Sequence, residues 1–452
     1  MWINLTNAAF LVACLTVGVT KTHTCDRVAA IPGFGAAAAS GPPMRLRTFA
    51  LLVGAAYVPA LAAISYAPNP VGQILCSVSI LTSLAVAWLF ARQRLRVART
   101  TKALTAFAPR LSIVYAGKSG LHVGMWSPWL ERSGISWCVT VPSDDQFDKV
   151  QMHYPDVPIV RGALPPTVRG ALYPHGAPAN SRYLAARPDV THVFLGHGDS
   201  DKTLSASERV LDYDVIAVAG DAAIDRFTHA GVDVPPKRFR MIGRPQTEGI
   251  EAASRPMPGS PTVLYAPTWW HADDATNVSS LPVARELIEH LLARDVTVVF
   301  RRHFARIQHP DAEDTIAWID ARLEQDARES GRAHGWGLPP RLATLPEVFN
   351  GVDVLLSDVS SVVVDFMASG KPMVVYAAHD DDVEAFRDSH PTARGAYVVT
   401  RDLTTMQSAF DAAFGADPLA DVRRAGADYF LGGPERRDAA ARFLAALNDW
   451  AN

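Results

Sequence analysis

The sequence predicts an α/β protein with two doubly wound halves, preceded by a helical membrane hairpin. Short apolar runs alternate with segments of helical periodicity from residue 111 onward, a pattern typical of parallel sheets with crossover helices. A stretch rich in proline, glycine and serine at 243–261 divides this region in two. Two long uncharged apolar runs, at 49–66 and 71–90, precede residue 111.

The composition is that of a globular protein rather than a disordered chain. Of the 452 residues, 48% are hydrophobic and 20% are charged, and this length exceeds what a single core usually holds. The formal net charge of −3 gives no reason to expect a nucleic acid as partner. The four cysteines share no close spacing, so we expect reduced thiols rather than a zinc site or a disulfide framework.

The membrane hairpin is predicted at 44–102, with spans at about 49–66 and 71–90. A transmembrane helix needs about 20 apolar residues, and Pro59 in the first run can be accommodated by neighbouring packing. Basic residues flank both outer ends of the hairpin, which by the positive-inside rule places both flanks in the cytoplasm. We therefore expect a two-span, multi-pass protein of the cell membrane with its main body in the cytoplasm. The alternative is a buried helical hairpin of a soluble domain. The basic residues are Arg45, Arg47, Arg92, Arg94, Arg96, Arg99 and Lys102.

The N-terminal segment, residues 1–43, is poorly defined by its sequence. Its apolar stretch has no basic region before it and therefore matches a signal peptide poorly. The alternatives for this stretch are a third membrane span and a peripheral helix. Its end, Ile-Pro-Gly-Phe-Gly followed by small residues, is typical of a linker. Met44 directly precedes the first span, which makes a later translation start a further alternative.

The main body is predicted to comprise an N-terminal half at 111–250, a C-terminal half at 260–430 and a closing helix at 431–452. In doubly wound sheets, ligands bind outside the carboxyl ends of the strands. The expected strands lie within 111–117, 135–142, 191–198, 213–220, 239–245, 262–267, 296–303, 352–358, 371–377 and 395–400.

Five polar clusters are expected at these strand ends, where a ligand would bind. Because all five clusters share this position, a functional site is favoured even before their chemistry is considered. The clusters are GHGDSDK at 196–202, YAPTWW at 265–270, FRRHF at 300–304, SDVSSVVVDF at 357–366 and ARGAY at 393–397.

Two of the clusters have the residue types of a phosphate site. Ser360 and Ser361 are expected at the start of a helix, where backbone N–H groups and hydroxyls bind anions, and Asp365 follows about one turn later. An ordinary N-cap role for Ser360 is the alternative. Arg301 and Arg302 offer guanidinium groups that match phosphate oxygens in fork geometry.

The first cluster has the features of a proton-transfer site. His197 lies between two glycines, which allow close approach of a ligand, and an imidazole exchanges protons near neutral pH. A metal site of His197, Asp199 and Asp201 is an alternative, but no other cluster is spaced to complete it, so no metal is expected. The AGKSG stretch at 116–120 lacks the upstream glycine of a P-loop, and the acidic run at 379–384 is interpreted as a solvated turn.

Together the clusters resemble the CDP-glycerol glycerophosphotransferase family, the teichoic acid polymerases and primases of bacterial cell envelopes. That family carries W-H-G-T-P-L-K, Y-A-P-T-W-R, R-P-H, D-Y-S-S-x-x-x-D-[FY] and R-G-x-Y stretches. Order and spacing agree over about residues 190 to 400. The counterparts here are Gly196–Lys202, Tyr265–Trp270, Arg302–His303, Asp358–Phe366 and Arg394–Tyr397.

The resemblance implies a GT-B fold of two Rossmann-like domains and transfer of glycerol phosphate from CDP-glycerol to an acceptor hydroxyl, releasing CMP. CDP-glycerol is then a co-substrate, with no further cofactor required, and the membrane location suggests a lipid-linked acceptor. The family's catalytic histidines match His197, on the acceptor side, and His303, at the donor diphosphate. The matching donor-binding residues are Arg301, Arg302, Ser360, Ser361, Asp365 and Thr268, and those on the acceptor side are Gly198, Asp199 and Lys202.

Several positions depart from the family pattern. Gly196 replaces a tryptophan, Trp270 an arginine, Arg302 a proline and Val359 a tyrosine. Because a loss and a gain of arginine fall in the same region, a nucleotide-diphosphate donor is indicated more firmly than glycerol. A GT-B glycosyltransferase that uses a nucleotide sugar and a non-catalytic, membrane-held binding protein are the alternatives.

Overall fold

A computed structural model describes the fold over most of the main body. Thirteen strands among the described residues form two sheets. The described residues are 25, 27–33, 70–198, 207–253, 257–303, 309–337, 344–433 and 436–452. The strands are β1 (Arg27–Ala29), β2 (Leu111–Val114), β3 (Trp137–Val141), β4 (Ile159–Arg161), β5 (Gly170–Tyr173), β6 (Thr191–Phe194), β7 (Val215–Val218), β8 (Phe239–Met241), β9 (Thr262–Tyr265), β10 (Thr297–Phe300), β11 (Val354–Ser357), β12 (Met373–Tyr376) and β13 (Tyr397–Val399).

Most of the α-helices in the described residues connect successive strands. They are α1 (Pro70–Phe107), α2 (Ser127–Ser133), α3 (Asp144–His153), α4 (Ser181–Ala186), α5 (Asp221–His229), α6 (Ala284–Leu292), α7 (Ala312–Ser330), α8 (Leu345–Asn350), α9 (Ser361–Met367), α10 (Val383–Ser389), α11 (Met406–Phe414), α12 (Ala420–Leu431) and α13 (Ala439–Ala451).

The first sheet has the strand order β1-β4-β3-β2-β5-β6-β7-β8. Its edge strand β1 runs antiparallel to β4, and β2 runs parallel to both of its neighbours, β3 and β5. The chain proceeds outward from β2 through β3 to β4 and then returns to β5 on the other side of β2. The carboxyl ends of β2 and β5 therefore form the topological switch point of this sheet, where ligands of doubly wound folds bind.

The second sheet is wholly parallel, in the order β10-β9-β11-β12-β13. Alternate residues of each strand enter different cores: Val263 and Tyr265 pack with helices α6, α7 and α11, whereas Leu264 packs with α9, α10 and α12. Helices thus cover both faces, which explains why these strands are almost continuously apolar. The switch point lies between β9 and β11, since β10 and β11 flank β9 on opposite sides.

The chain divides into two compact units. One ends at Phe194 and takes in Leu447–Asn452, and the other spans Leu195–Ala446. In the first unit, Arg110 donates two hydrogen bonds of 2.9 and 2.6 Å to the carbonyl of Ala451, which fixes the end of α13 beside β2. The predicted domain limits at 111–250 and 260–430 stay predictions.

Part of the poorly defined N-terminal segment forms the edge strand β1. Arg27 donates to Asp144 at 3.0 Å and to Asp148 at 2.7 Å, both on α3, and its guanidinium lies 4.0 Å from the ring centre of Phe147. Residues 27–29 are therefore part of a sheet. The apolar stretch of this segment, for which a third span or a peripheral helix was expected, lies outside the described residues.

The second predicted membrane span lies inside α1, which continues through the basic flank to Phe107. The first predicted span, 49–66, lies outside the described residues. Among the residues that the structure describes, no helix combines the length and the hydrophobicity needed to cross a membrane. The membrane hairpin stays a prediction.

One local prediction was wrong. The ARGAY cluster precedes β13 instead of following a strand, and it therefore does not lie at a carboxyl end.

The ARGAY cluster instead packs around a buried arginine. Arg423 is fully buried and donates to the carbonyls of Gly370 and Gly395, at 3.1 and 2.9 Å, and to the Asp417 carboxylate at 2.6 Å. A methyl group on Gly395 would lie 2.8 Å from Cα of Arg423. The Tyr397 hydroxyl donates to Asp417 at 2.8 Å, and burial raises the pKa of Tyr397 to about 12. The cluster is thus structural.

We expect Arg423→Ala to destabilise the protein by about 3–5 kcal/mol, because Asp417 would be left buried without its cation. Thermal unfolding should show this as a fall in the midpoint of roughly 6–20 °C for a unit of this size. Arg424 is the matched control, since it is exposed and pairs with the exposed Asp421; Arg424→Ala should change stability by less than about 1 kcal/mol. Equal effects of the two changes would contradict the structural role.

Candidate active site

A buried carboxylate organises the carboxyl edge of the second sheet. Asp358, which follows β11, accepts hydrogen bonds from the backbone N–H of Thr268 with both oxygens, at 3.0 and 2.9 Å. It also accepts from the N–H and the hydroxyl of Ser280, at 2.9 and 3.1 Å. The Ser280 hydroxyl lies 3.1 Å from that of Tyr265, whose pKa is raised by burial. This network ties the chain after β9 to the chain after β11, at the switch point.

Two half-buried serines, Ser360 and Ser361, come shortly after Asp358 in the chain. Ser360 has an extended backbone at the N-cap position of α9, and its side chain makes no capping hydrogen bond. The alternative, in which the Ser360 side chain acts as an ordinary helix cap, is therefore wrong. Ser361 is the first residue of α9. The cluster thus places two hydroxyl groups at the switch point, where they can donate to an anionic ligand.

The arginine cluster follows the neighbouring strand, β10. The N–H of Arg301 donates to the carbonyl of Tyr265 at 2.9 Å, so its backbone extends the pairing of β10 with β9. Burial lowers the pKa of the Arg301 guanidinium from its usual value, and the charge of Asp365 acts in the opposite direction. Arg301 therefore lies within electrostatic reach of Asp365 on α9. Arg302 is exposed and His303 is half-buried.

Asp365 binds Arg244, an arginine outside the five predicted clusters. Arg244 donates to its two oxygens at 2.7 and 3.2 Å, and both side chains are buried. The two residues are 121 positions apart, and Arg244 lies in the segment interpreted as an interdomain link. A lone arginine between glycine and proline carries no local signal of such a role.

The histidine cluster approaches the serines through its second glycine. A methyl group on Gly198 would lie 3.2 Å from Cβ and 3.3 Å from Oγ of Ser361, so the backbone beside His197 is in close contact with the start of α9. His197 itself is exposed. Asp199 and Lys202, predicted on the acceptor side, lie outside the described residues.

The structure therefore brings together residues of four of the five clusters within the second unit. Gly198 lies against Ser361, Arg301 interacts with Asp365, and Thr268 is bound to Asp358. The arrangement has a general-base candidate, a cation and two hydroxyls, which are the groups that phosphoryl transfer requires.

Comparison with known proteins identifies the class of enzyme. The profile of the family described as CDP-Glycerol:Poly(glycerophosphate) glycerophosphotransferase matches residues 247–398. The resemblance predicted from the motifs is thus confirmed, and the chain is a transferase similar to the CDP-glycerol glycerophosphotransferases. No curated protein sequence matches this chain.

Several solved structures are similar over most of their length. The wall teichoic acid polymerase TagF is 12% identical, with 79% of this chain and 95% of that chain covered and a TM-score of 0.48. A glycosyltransferase from Rickettsia africae is 12% identical, with coverages of 76% and 97% and a TM-score of 0.45. Anabaena HepE in complex with UDP and glucose is 13% identical, with coverages of 75% and 100% and a TM-score of 0.41.

We expect Arg244→Met to destabilise the protein by about 3–5 kcal/mol, because the Asp365 carboxylate would stay buried without its partner. Chemical denaturation with a tryptophan fluorescence readout measures this change. The double variant Arg244→Met with Asp365→Leu is the control, since replacing both charges by apolar groups should recover most of the loss. If the double variant is no more stable than the single one, the pair does not act as a unit.

Proposed function

We propose that this protein transfers glycerol phosphate, or a related polyol phosphate, from CDP-glycerol to an acceptor hydroxyl in the synthesis of a teichoic-acid-like envelope polymer. The observation that supports the proposal is the close approach of Gly198, the residue after His197, to Ser361 at the predicted phosphate site. The family match over residues 247–398 supports the donor.

In the proposed step, the acceptor oxygen attacks the phosphorus that carries the glycerol, and a new P–O bond forms. The bond between this phosphorus and the oxygen of CMP breaks, and CMP leaves with the bonding electrons. His197 takes the proton of the attacking hydroxyl, a contribution of typically about 10²–10⁴-fold. Arg301 and the Ser360 and Ser361 hydroxyls stabilise the charge that develops on the departing phosphate.

Asp365 and Thr268 support this step indirectly in our proposal. The Thr268 backbone is bound by Asp358 and the Asp365 carboxylate by Arg244. Both residues therefore position the groups around them, while Arg302, which is exposed, and His303, which is half-buried, contact the donor diphosphate in our proposal.

A nucleotide-sugar donor is the second candidate, and one observation favours it. Where the family has an arginine, Trp270 stacks on His309 with a ring separation of 4.1 Å. Trp270 is partly buried and also packs against the core of the second sheet, so an apolar aromatic group occupies a position where a cation would suit a phosphate. Attack would then occur at an anomeric carbon.

We also propose a GT-B arrangement, with an acceptor domain at 111–250 and a donor domain at 260–430. The strand orders of the two sheets support it, because each has a switch point with polar residues at its carboxyl edge.

Membrane attachment through α1 completes the proposal and favours a lipid-linked acceptor, with the catalytic body in the cytoplasm. Large apolar side chains of this helix are exposed, and basic residues follow them along the helix, as an anionic lipid surface would require. The exposed side chains are Val71, Ile74, Val78, Leu81, Leu84, Trp88, Leu89 and Leu95.

Flotation of the full chain with vesicles containing anionic phosphatidylglycerol tests the attachment. We expect the double variant Leu81→Glu with Trp88→Glu to lose flotation, since an acidic side chain in hydrocarbon costs about 2.5 kcal/mol or more. Met152→Glu is the control, because Met152 is an equally exposed apolar residue on α3. Unchanged flotation of the double variant would exclude α1 as the attachment site.

A donor panel tests the reaction. The full chain is incubated with an acceptor-containing membrane extract and either CDP-glycerol or UDP- and GDP-sugars, and the release of CMP, UDP or GDP is measured. We expect CMP from CDP-glycerol alone. Nucleotide release from a sugar donor would support the second candidate, and no release from any donor would support a non-catalytic binding protein.

His197→Ala serves as the matched variant in this assay. It should abolish CMP release while CDP-glycerol binding, followed by thermal shift, stays nearly unchanged. Ser361→Ala should instead weaken donor binding. If His197→Ala weakened binding as strongly as turnover, His197 would not be the general base.

A further inference from the structure

The switch point of the first sheet contains a pair of histidines that the proposed reaction does not use. His122 lies in a short 3-10 helix after β2, and His175 lies two residues beyond β5. Their ring nitrogens, Nδ1 of His122 and Nε2 of His175, are 2.9 Å apart. Both side chains are half-buried. The pair thus occupies the position at which doubly wound sheets bind their ligands.

The loop that carries His122 is held in place by two tyrosines. The Tyr115 hydroxyl accepts from the N–H of Gly120 at 2.8 Å. The Tyr154 hydroxyl accepts from the N–H of Gly124 at 3.0 Å and donates to the carbonyl of Leu121 at 2.7 Å. These bonds flank His122 on both sides, so its backbone is positioned before any ligand binds.

His175 is held independently. The side-chain amide of Asn180 donates to its carbonyl at 2.6 Å, and the ring of Tyr115 meets its imidazole edge-on at 5.1 Å. A methyl group on Gly117 would lie 2.7 Å from Cε1 of His175 and 2.5 Å from the Tyr115 hydroxyl. Glycine at this position therefore lets the AGKSG loop lie directly against His175 and Tyr115. This packing gives the stretch a role other than phosphate binding.

We propose that His122 and His175 form a binding site for a borderline transition metal such as Zn²⁺. Imidazole nitrogens are the ligands that such ions take, whereas Mg²⁺ and Ca²⁺ prefer oxygen. With Zn–N distances of about 2.0–2.1 Å, two nitrogens on a tetrahedral ion lie roughly 3.3 Å apart. The observed 2.9 Å separation needs to open by only a few tenths of an ångström.

The pair is also better suited to a metal than the described thiols are. Cys25 and Cys138 are buried, and burial raises the pKa of Cys138 to about 11. A zinc ligand must be deprotonated, so a buried thiol of this kind is disfavoured. The histidine pair, by contrast, is half-buried, and a neutral imidazole binds such an ion without losing a proton.

Zinc titration of the full chain tests the proposal, with any histidine tag removed and bound metal stripped by a chelator. Competition with a chromophoric chelator measures Zn²⁺ affinity in the wild type and in His122→Gln and His175→Gln, which retain a polar side chain of similar reach. Because loss of a partner outside the ligand shell already costs about 10–100-fold in affinity, loss of a ligand should cost at least as much. His229→Ala is the control, since His229 is exposed on α5.

A second measurement needs no variant and therefore does not depend on folding of the altered chains. Diethyl pyrocarbonate modification of the wild type, mapped by mass spectrometry, should be suppressed by Zn²⁺ at His122 and His175 and unchanged at His229. Mg²⁺ should suppress neither. Equal zinc affinity of all variants, or zinc-independent modification of the pair, would overturn the proposal and leave a hydrogen bond between the two histidines only.

Discussion

The second sheet depends on one buried carboxylate, that of Asp358. An ionised carboxylate taken out of water costs several kcal/mol unless hydrogen bonds replace its hydration, and here the Thr268 N–H and both donors of Ser280 do so. These donors come from the chain after β9, while Asp358 comes from the chain after β11. The carboxylate therefore joins the ends of β9 and β11, the two strands at the switch point. Ser360 and Ser361 come shortly after Asp358 in the chain.

Residues of the family motifs divide into those that build the site and those that face a ligand. Asp358 and Tyr397 belong to the first group, because their polar atoms bind other protein groups in the interior. We propose that Ser360 belongs to the second group, since it stands at a helix start without capping it. A family motif thus contains residues that stabilise the fold as well as residues suited to contact a ligand. The two kinds of residue can be distinguished only when the hydrogen bonds of each side chain are known.

The same topological rule applies to both sheets. When consecutive crossovers run in opposite directions from one strand, the loops after that strand and its later neighbour diverge and leave a crevice. In the second sheet, Ser360, Ser361 and Asp358 lie at this point. In the first sheet, His122 and His175 lie there. Each sheet therefore has its own polar edge, with different chemistry.

The sequence alone determined the alternation of strands and helices, the two sheets and most of the polar clusters, because apolar periodicity and turn residues are local properties. It did not reveal β1, β4 or β5, although the equally short β8 and β13 were predicted. Only the tertiary structure decided which distant residues meet: Arg244 with Asp365, and His122 with His175. The strand order brings such residues together, and strand order is a property of long-range packing that no local pattern encodes.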